Sequence, residues 1–426
     1  MIARKIAYYL TVPLLLSATD IYAQTREYTA DAPAGQVVRG DTVTERQRPD
    51  YDAIGVRLGG FMLLPTLSLQ ESYNSNIFAT ENNEESDFIT SIEPALNLRS
   101  NWNNHALNLH ADSKVARYAD NTSEDFEDYT LSADGRLDVL RDLRLFGGAG
   151  YRLRHIARDD PDSPSNIAEP AEYEIYGANA GIEKVFNRLS LRFDAAYEQH
   201  RYDNVRLNDG TTRDEGDRDR DQTTISLRTG YEIGPMRQVY LLGSYNWRDY
   251  ERRVDNAGFQ RNSDGYLLAV GAEYDLTGVT FLDGYVGYRV QEYDDPRLKE
   301  ISGWAAGLKL TWNVTQLTTV TGNLNRSVEE TTQNGASGYF ATRASIRVDH
   351  ELLRNLILNA SLGYENNEFE GITRDDDYYL AGLGARYLMN RYLSVSGGYG
   401  YRTRESNLPN ADFDENVVFI RLTGQL

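Results

Sequence analysis

Apolar and polar residues alternate with a period of two along most of the chain. Between residues 376 and 389 one set of alternate positions is apolar or aromatic, and the other is mostly small but includes Arg386. The polar pair Asn390-Arg391 follows, and the alternation resumes over residues 393–403. Period two is the β-strand signature, and a short polar break between two such runs predicts a β-hairpin. The repeated division into an apolar and a polar face predicts a transmembrane β-barrel, with lipid outside and water inside.

The breaks between runs alternate between short turns and long, mostly charged loops. Short breaks fall at residues 101–104, 141–142, 187–188, 234–235, 277–278, 313–316, 353–355 and 390–391, and long loops separate the remaining runs. The sequence therefore predicts an all-β fold, a closed antiparallel barrel of about eighteen strands with both chain ends in the periplasm. Sixteen strands is the alternative, because the runs at 107–118 and 317–328 alternate imperfectly.

Three segments are expected in the chain. Residues 1–23 have the plan of a signal peptide, with Arg4 and Lys5 before an apolar run that is too short to span a bilayer. Residues 24–60 are polar and lack a period, which predicts a flexible periplasmic segment, with a small folded plug as the alternative. Residues 61–426 are predicted to form the barrel.

Composition narrows the function classes. The chain has 426 residues and a net charge of -20, which argues against nucleic-acid binding. It has no Cys, so disulfides and thiolate chemistry are excluded. Tyr is far more frequent than Phe or Trp, 30 against 13 and 4, and its apolar ring with a polar hydroxyl suits a membrane interface.

A barrel of this strand number is too wide to be filled by its own side chains, so an aqueous lumen is expected unless a loop or the N-terminal segment plugs it. The alternation assigns charged residues of both signs to the luminal face. The predicted pore-lining residues are Arg99, Arg136, Arg144, Arg152, Arg192, Arg228, Arg289, Arg347, Arg386, Arg402, Asp134, Asp194, Glu232, Glu273 and Asp283. They predict either a transverse field that orients polar solutes or cross-strand pairing without a selective role, and for any single residue we favour pairing.

No catalytic or metal site is predicted, and no cofactor. The acidic loops at 214–217 and 375–377 lack the spacing of a calcium-binding loop. The best histidine pairs, His110 with Asp112 and His200 with Glu198, have no recognisable nucleophile beside them. We therefore expect that the protein is not an enzyme. No row of luminal aromatic residues at regular spacing is visible in the sequence.

The last run, residues 416–426, alternates up to the end of the chain. Val418, Ile420, Leu422 and Leu426 share one face. This pattern resembles the terminal signal recognised by the outer-membrane assembly machinery, although that signal usually ends in Phe or Trp. The predicted partners are therefore this machinery, outer-membrane lipid and lipopolysaccharide.

Residues 61–426 resemble the Putative beta-barrel porin family of outer-membrane proteins, which is common in alphaproteobacteria. The matching stretches are residues 72–80 (SYNSNIFAT), 119–125 (ADNTSED), 293–298 (YDDPRL) and 376–379 (DDYY). The resemblance implies an outer-membrane barrel and an association with capsule or exopolysaccharide export systems. It brings no catalytic motif, so no residue inherits a role from it.

Two functions are therefore open. The first is an outer-membrane pore for polar solutes, linked to polysaccharide export and its components. The alternative is a non-conducting structural barrel, whose acidic outer loops bind lipopolysaccharide, polysaccharide or a protein partner. A pore should have luminal charges that face water, whereas a structural barrel should have its loops or N-terminal segment packed inside.

Overall fold

The computed structural model describes residues 41–163 and 166–426, and one antiparallel sheet dominates it. Its long strands are labelled here β1 to β18. They are β1 Phe61–Asn74, β2 Asp87–Ser100, β3 Ala106–Tyr118, β4 Phe126–Leu140, β5 Leu143–His155, β6 Glu172–Phe186, β7 Leu189–Tyr202, β8 Arg220–Gly234, β9 Arg237–Tyr250, β10 Ser263–Asp275, β11 Thr280–Tyr293, β12 Ile301–Thr315, β13 Thr318–Glu330, β14 Gly338–Leu353, β15 Leu356–Glu370, β16 Asp375–Leu388, β17 Leu393–Ser406 and β18 Phe413–Gln425.

The sheet closes on itself because β1 pairs with both β2 and β18. Leu69, for example, is opposite Ile92 on one side and Leu422 on the other. The prediction of an eighteen-stranded antiparallel barrel is thus confirmed. The two imperfectly alternating runs are both strands, β3 and β13. Strand spacing and a tilt of about 40° give a barrel roughly 35 Å across.

The two faces of the wall differ as the alternation predicts. The most exposed apolar side chains, such as Leu268 (66%), Leu362 and Leu383 (both 62%), occupy one register throughout. These positions form the outward, lipid-facing surface, since a barrel wall in a bilayer must be apolar there. The opposite register carries the charged residues and most of the small and hydroxyl side chains, together with a buried apolar cluster that includes Tyr240 and Leu242. No helix within the described residues is long and apolar enough to cross a membrane.

The barrel has two different ends. At the short-turn end, the connections that follow β2, β4, β6, β8, β10, β12, β14 and β16 are between two and five residues long. At the long-loop end the connections reach seventeen residues, in the loop between β7 and β8. The loop predicted around 368–376 is shorter than expected, since Glu368 and Asp375 are direct strand partners. An acidic stretch can therefore be strand, which charge alone does not show.

The N-terminal segment lies at the short-turn end. Val56–Leu58 is a short strand that pairs with the beginning of β1. Residues 41–53 contact β13 and β14, and the carbonyl group of Tyr51 accepts a 2.9 Å hydrogen bond from Gln425 of β18. Residues 1–40, which include the predicted signal peptide and most of the predicted flexible segment, lie outside the described residues, and those two predictions stay predictions.

Candidate functional site

All fifteen predicted pore-lining residues lie on the luminal face. On β8, for example, Arg228 and Glu232 alternate with Leu227 and Tyr231, which are 48% and 49% exposed on the outward face. Direct cross-strand partners lie on the same face of a sheet, so the luminal face identified on β8 can be followed from strand to strand around the whole barrel. The register thus places every one of them where the alternation predicted, while their role in lining a conducting pore stays a prediction.

Most of these charges are paired along the wall. Three ion pairs join different strands: Arg144–Glu183 (3.5 Å), Arg152–Glu198 (3.1 Å) and Arg228–Glu273 (3.1 Å). Three others join residues two apart on one strand: Arg136–Asp138 (3.0 Å), Arg192–Asp194 (2.9 Å) and Arg347–Asp349 (2.8 Å). Asp134 accepts a hydrogen bond from Asn108 and Asp283 one from Tyr240. Opposite charges therefore neutralise each other locally, which favours the pairing interpretation over separated positive and negative walls.

The loop between β5 and β6 crosses the mouth of the barrel at the long-loop end. Asp159 forms an ion pair with Arg402 of β17, and its carbonyl accepts a 2.9 Å hydrogen bond from Arg404. Asp162 of the same loop accepts a 3.2 Å hydrogen bond from the backbone of Thr332, beyond β13. Because β13 and β17 are far from β5 around the sheet, this loop spans the lumen rather than lying along the rim.

The tips of β13 and β14 also bend over the lumen. Pairing between β12 and β13 ends at Ala306–Arg326, so the last residues of β13 leave the wall. Glu330, at the end of β13, forms an ion pair with Arg248 of β9. Arg261, which is only 1% exposed, donates to the carbonyl groups of Thr331 and Ala336 at 2.6 and 2.8 Å. The mouth is thus narrowed by polar contacts from two sides.

Burial shifts the acidity of one carboxyl group among the loops at the long-loop end. Glu215, between β7 and β8, is 1% exposed, and this burial raises the pKa of its carboxyl group above the ordinary value of 4.5. Arg218 and Arg213 oppose the rise, whereas Asp217 and Asp162 add to it. This loop therefore holds a carboxyl group that is poorly suited to carry charge.

At the short-turn end, the N-terminal segment enters the lumen. Arg48 donates a 2.6 Å hydrogen bond to Glu351 of β14, and the two side chains are 3% and 5% exposed. The backbone N–H of Val43 donates to the hydroxyl of Thr319 at 2.9 Å. Thr319 and Glu351 are in the luminal register, so residues 41–53 cover part of the lumen at this end. Burial lowers the pKa of Arg48, and its interaction with Glu351 opposes that shift.

Glycine and tyrosine alternate across five neighbouring strands of the luminal wall. The direct cross-strand partners are, in order from β8 to β12, Gly230, Tyr240, Gly271, Tyr285 and Gly307. The Tyr240 ring lies over Gly271, where an added Cβ atom would overlap it, and its hydroxyl donates to Asp283 on β11 at 3.0 Å. A single-strand pattern could not reveal this row, because it depends on the register between strands.

The two predicted histidine pairs are formed, but His110 offers no base to a nucleophile. Its Nε2 atom lies 2.7 Å from Asp112 and its Nδ1 atom lies 2.7 Å from Asn97, so both ring nitrogens are engaged. His200 is 6% exposed, with Nε2 3.8 Å from Glu198. General-base catalysis needs a free nitrogen within hydrogen-bond reach of a nucleophile, and His110 does not present one. Among the residues that the structure describes, no group of three or more His, Asp or Glu side chains could hold a metal ion.

A family model described as Putative beta-barrel porin 2 matches residues 48–426. The chain belongs to this family. The match confirms the resemblance found in the sequence, and it begins at Arg48, the residue that pairs with Glu351 in the lumen. The protein is therefore a porin-like outer-membrane β-barrel. No curated protein matches the chain.

Several solved structures are similar to this porin-family chain. The outer membrane protein OpdK from Pseudomonas aeruginosa is 13% identical, with 85% of this chain and 99% of that chain covered and a TM-score of 0.42. OccK2 (OpdF) from the same organism is 11% identical, with 87% and 99% covered and a TM-score of 0.46. The FrpB iron transporter of Neisseria meningitidis is 10% identical, with 80% and 62% covered and a TM-score of 0.46.

Proposed function

We propose that this outer-membrane barrel is a pore for polar solutes, with its short turns and both chain ends in the periplasm. The observation that carries the proposal is that the contacts described above between the elements obstructing the lumen and the opposite wall are polar, whereas the apolar cluster of the β5–β6 loop joins it to the neighbouring β7–β8 loop. Asp159 and Asp162 hold the outer loop, and Arg48 with Glu351 holds the N-terminal segment. Polar contacts exchange readily with water, so such elements can leave the lumen without exposing a large apolar surface.

The charges of the wall fit a lumen that holds water. Ion pairs such as Arg152 with Glu198 interact favourably with water and polar solutes. A polar wall is common to open and plugged barrels, so the wall supports the pore only together with the polar contacts described above. Because the pairs neutralise each other locally, we expect weak discrimination between anions and cations.

The non-conducting structural barrel is the second candidate, and one observation favours it. Both ends of the lumen are partly covered, at one end by the β5–β6 loop and at the other by residues 41–53. The two candidate functions differ in whether the β5–β6 loop and residues 41–53 ever leave the lumen. A link to capsule or exopolysaccharide export, contact of the loops with lipopolysaccharide and recognition of β18 by the assembly machinery remain predictions.

A liposome-swelling assay tests the proposal. Proteoliposomes with the full-length protein should swell in arabinose, and those with an Asp159→Asn/Asp162→Asn double variant should swell faster, since two contacts that hold the outer loop are weakened. Asp209 is an exposed residue in the neighbouring β7–β8 loop, and proteoliposomes with the control variant Asp209→Asn should swell at the wild-type rate. Absence of swelling in all three proteins would favour the structural barrel.

A further inference from the structure

An apolar groove of about 780 Å³ crosses the outward face of β8–β13, in the half of the barrel nearer the short turns. One row of direct cross-strand partners runs along it, namely Tyr231, Val239, Ala272, Gly284, Leu308 and Leu324. Ala272 and Gly284 contribute little side-chain volume, so space is left between the larger side chains on either side. The volume lies within the roughly 300–1,000 Å³ of ordinary ligand pockets.

The groove lies in the lipid-facing band. Around it, Leu241, Leu268, Val270 and Val286 are between 57% and 66% exposed. In a bilayer such a surface is covered by acyl chains or by another protein, and empty space there would forfeit dispersion contacts. The residues at the edge of the groove indicate which of these two occupants fits.

A cationic side chain stands at the short-turn edge of the groove. Arg237 and Tyr274 are direct partners on β9 and β10, two residues beyond Val239 and Ala272 on the same outward face. The guanidinium carbon of Arg237 lies 5.7 Å from the centre of the Tyr274 ring. Within the described residues no carboxylate forms an ion pair with Arg237. Arginine binds phosphate with two parallel hydrogen bonds, and tyrosine favours the headgroup level of a membrane.

We propose that this groove binds one phospholipid of the leaflet that meets the short turns. Its acyl chains fill the space over Ala272 and Gly284, and its phosphate pairs with Arg237. Charge decides between the possible occupants. A second copy of this chain would bring the same positively charged edge if it docked symmetrically, whereas a phospholipid brings the complementary anion. This inference is independent of solute transport through the lumen.

Native mass spectrometry of the full-length protein tests the proposal. The protein is released from detergent after titration with 1-palmitoyl-2-oleoyl phosphatidylethanolamine, and the fraction carrying one retained lipid is measured. Ala272→Leu, which fills the groove, should weaken retention about tenfold. Arg237→Gln, which removes the phosphate partner, should weaken it about fivefold. Ala180→Leu, the same change at an exposed outward position on β6, is the matched control and should bind like the wild type.

Each outcome decides the proposal. Loss of the single lipid in the two groove variants, with normal retention in the control, supports it. Equal retention in all four proteins would show only unspecific lipid adherence and overturn it. A wild-type dimer that Ala272→Leu converts to a monomer would overturn it in favour of a second copy. A folded barrel migrates differently on a gel before and after heating, and each variant should retain this shift. Arg237→Gln lies at the membrane edge, so it tests the phosphate contact even if Ala272→Leu fails to fold.

Discussion

The buried pair between Arg48 and Glu351 should control whether the N-terminal segment stays in the lumen. The substitution Glu351→Gln keeps the shape of the side chain but leaves the Arg48 guanidinium, 3% exposed, without its carboxylate partner. Removing one member of a buried ion pair costs about 3–5 kcal/mol. Gln can still accept one hydrogen bond from Arg48, so the lower figure applies. Residues 41–53 are not part of the closed ladder of β1 to β18, so we expect the loss to appear as undocking of the segment rather than unfolding of the barrel.

A loss of about 3 kcal/mol lowers the ratio of docked to undocked segment roughly 150-fold. The measurement is hydrogen exchange at the amide of Val43, which donates to Thr319 in the docked form. Its exchange should accelerate toward this factor in Glu351→Gln. Glu232→Gln, a change at a half-buried luminal carboxylate on β8, is the matched control and should leave the exchange rate unchanged. Unaltered protection of Val43 in Glu351→Gln would refute the claim that this ion pair holds the segment.

Three further predictions concern the mouth and the wall. Asp159→Asn should raise the open probability of the pore in planar bilayers, since the outer loop loses its charge contact with β17; an unchanged open probability would contradict this. Acidification from pH 7 toward the ordinary carboxyl pKa of 4.5 should stabilise the docked loops at the long-loop end. The folded-state pKa of Glu215 is raised, so the folded form binds a proton first and loses stability as pH rises through that pKa. Proteolysis of the loop should accordingly slow over this range in the wild type and slow less in Glu215→Gln. Gly271→Ala should destabilise the barrel by about 1–3 kcal/mol, because its Cβ atom would displace the Tyr240 ring, whereas Gly243→Ala has open space and should be neutral in a thermal melt.

The strand count and the luminal register were predictable because each depends on the alternation within a strand. Arg228 and Leu227 differ in face simply because they are neighbours in a strand. The turns were predictable for a similar reason, because the polar breaks that mark them are also visible within a short stretch of sequence. Even the imperfect runs became strands β3 and β13, since a strand with two paired neighbours is held by the ladder as well as by its own pattern.

Contacts between distant residues were not predictable in this way. Nothing near Asp159 in the sequence indicates Arg402, because the two meet only when the loop crosses a closed barrel. The docking of Arg48 onto Glu351 is not visible in the sequence for the same reason, although the sequence leaves open a plug formed by residues 24–60. The pairing of Tyr240 with Gly271 depends on register between strands, which the periodicity of one strand does not determine.

Single-channel conductance in a planar bilayer tests the central claim most directly, that the barrel is a pore obstructed by removable polar elements. The full-length protein should show intermittent openings. A form lacking residues 24–54, which retains the short strand Val56–Leu58, should be open for a larger fraction of the time. The paired wall charges should give weak ion selectivity in both. Silence in both forms, with the barrel shown to be folded and inserted, would contradict the claim and leave the structural barrel as the better account.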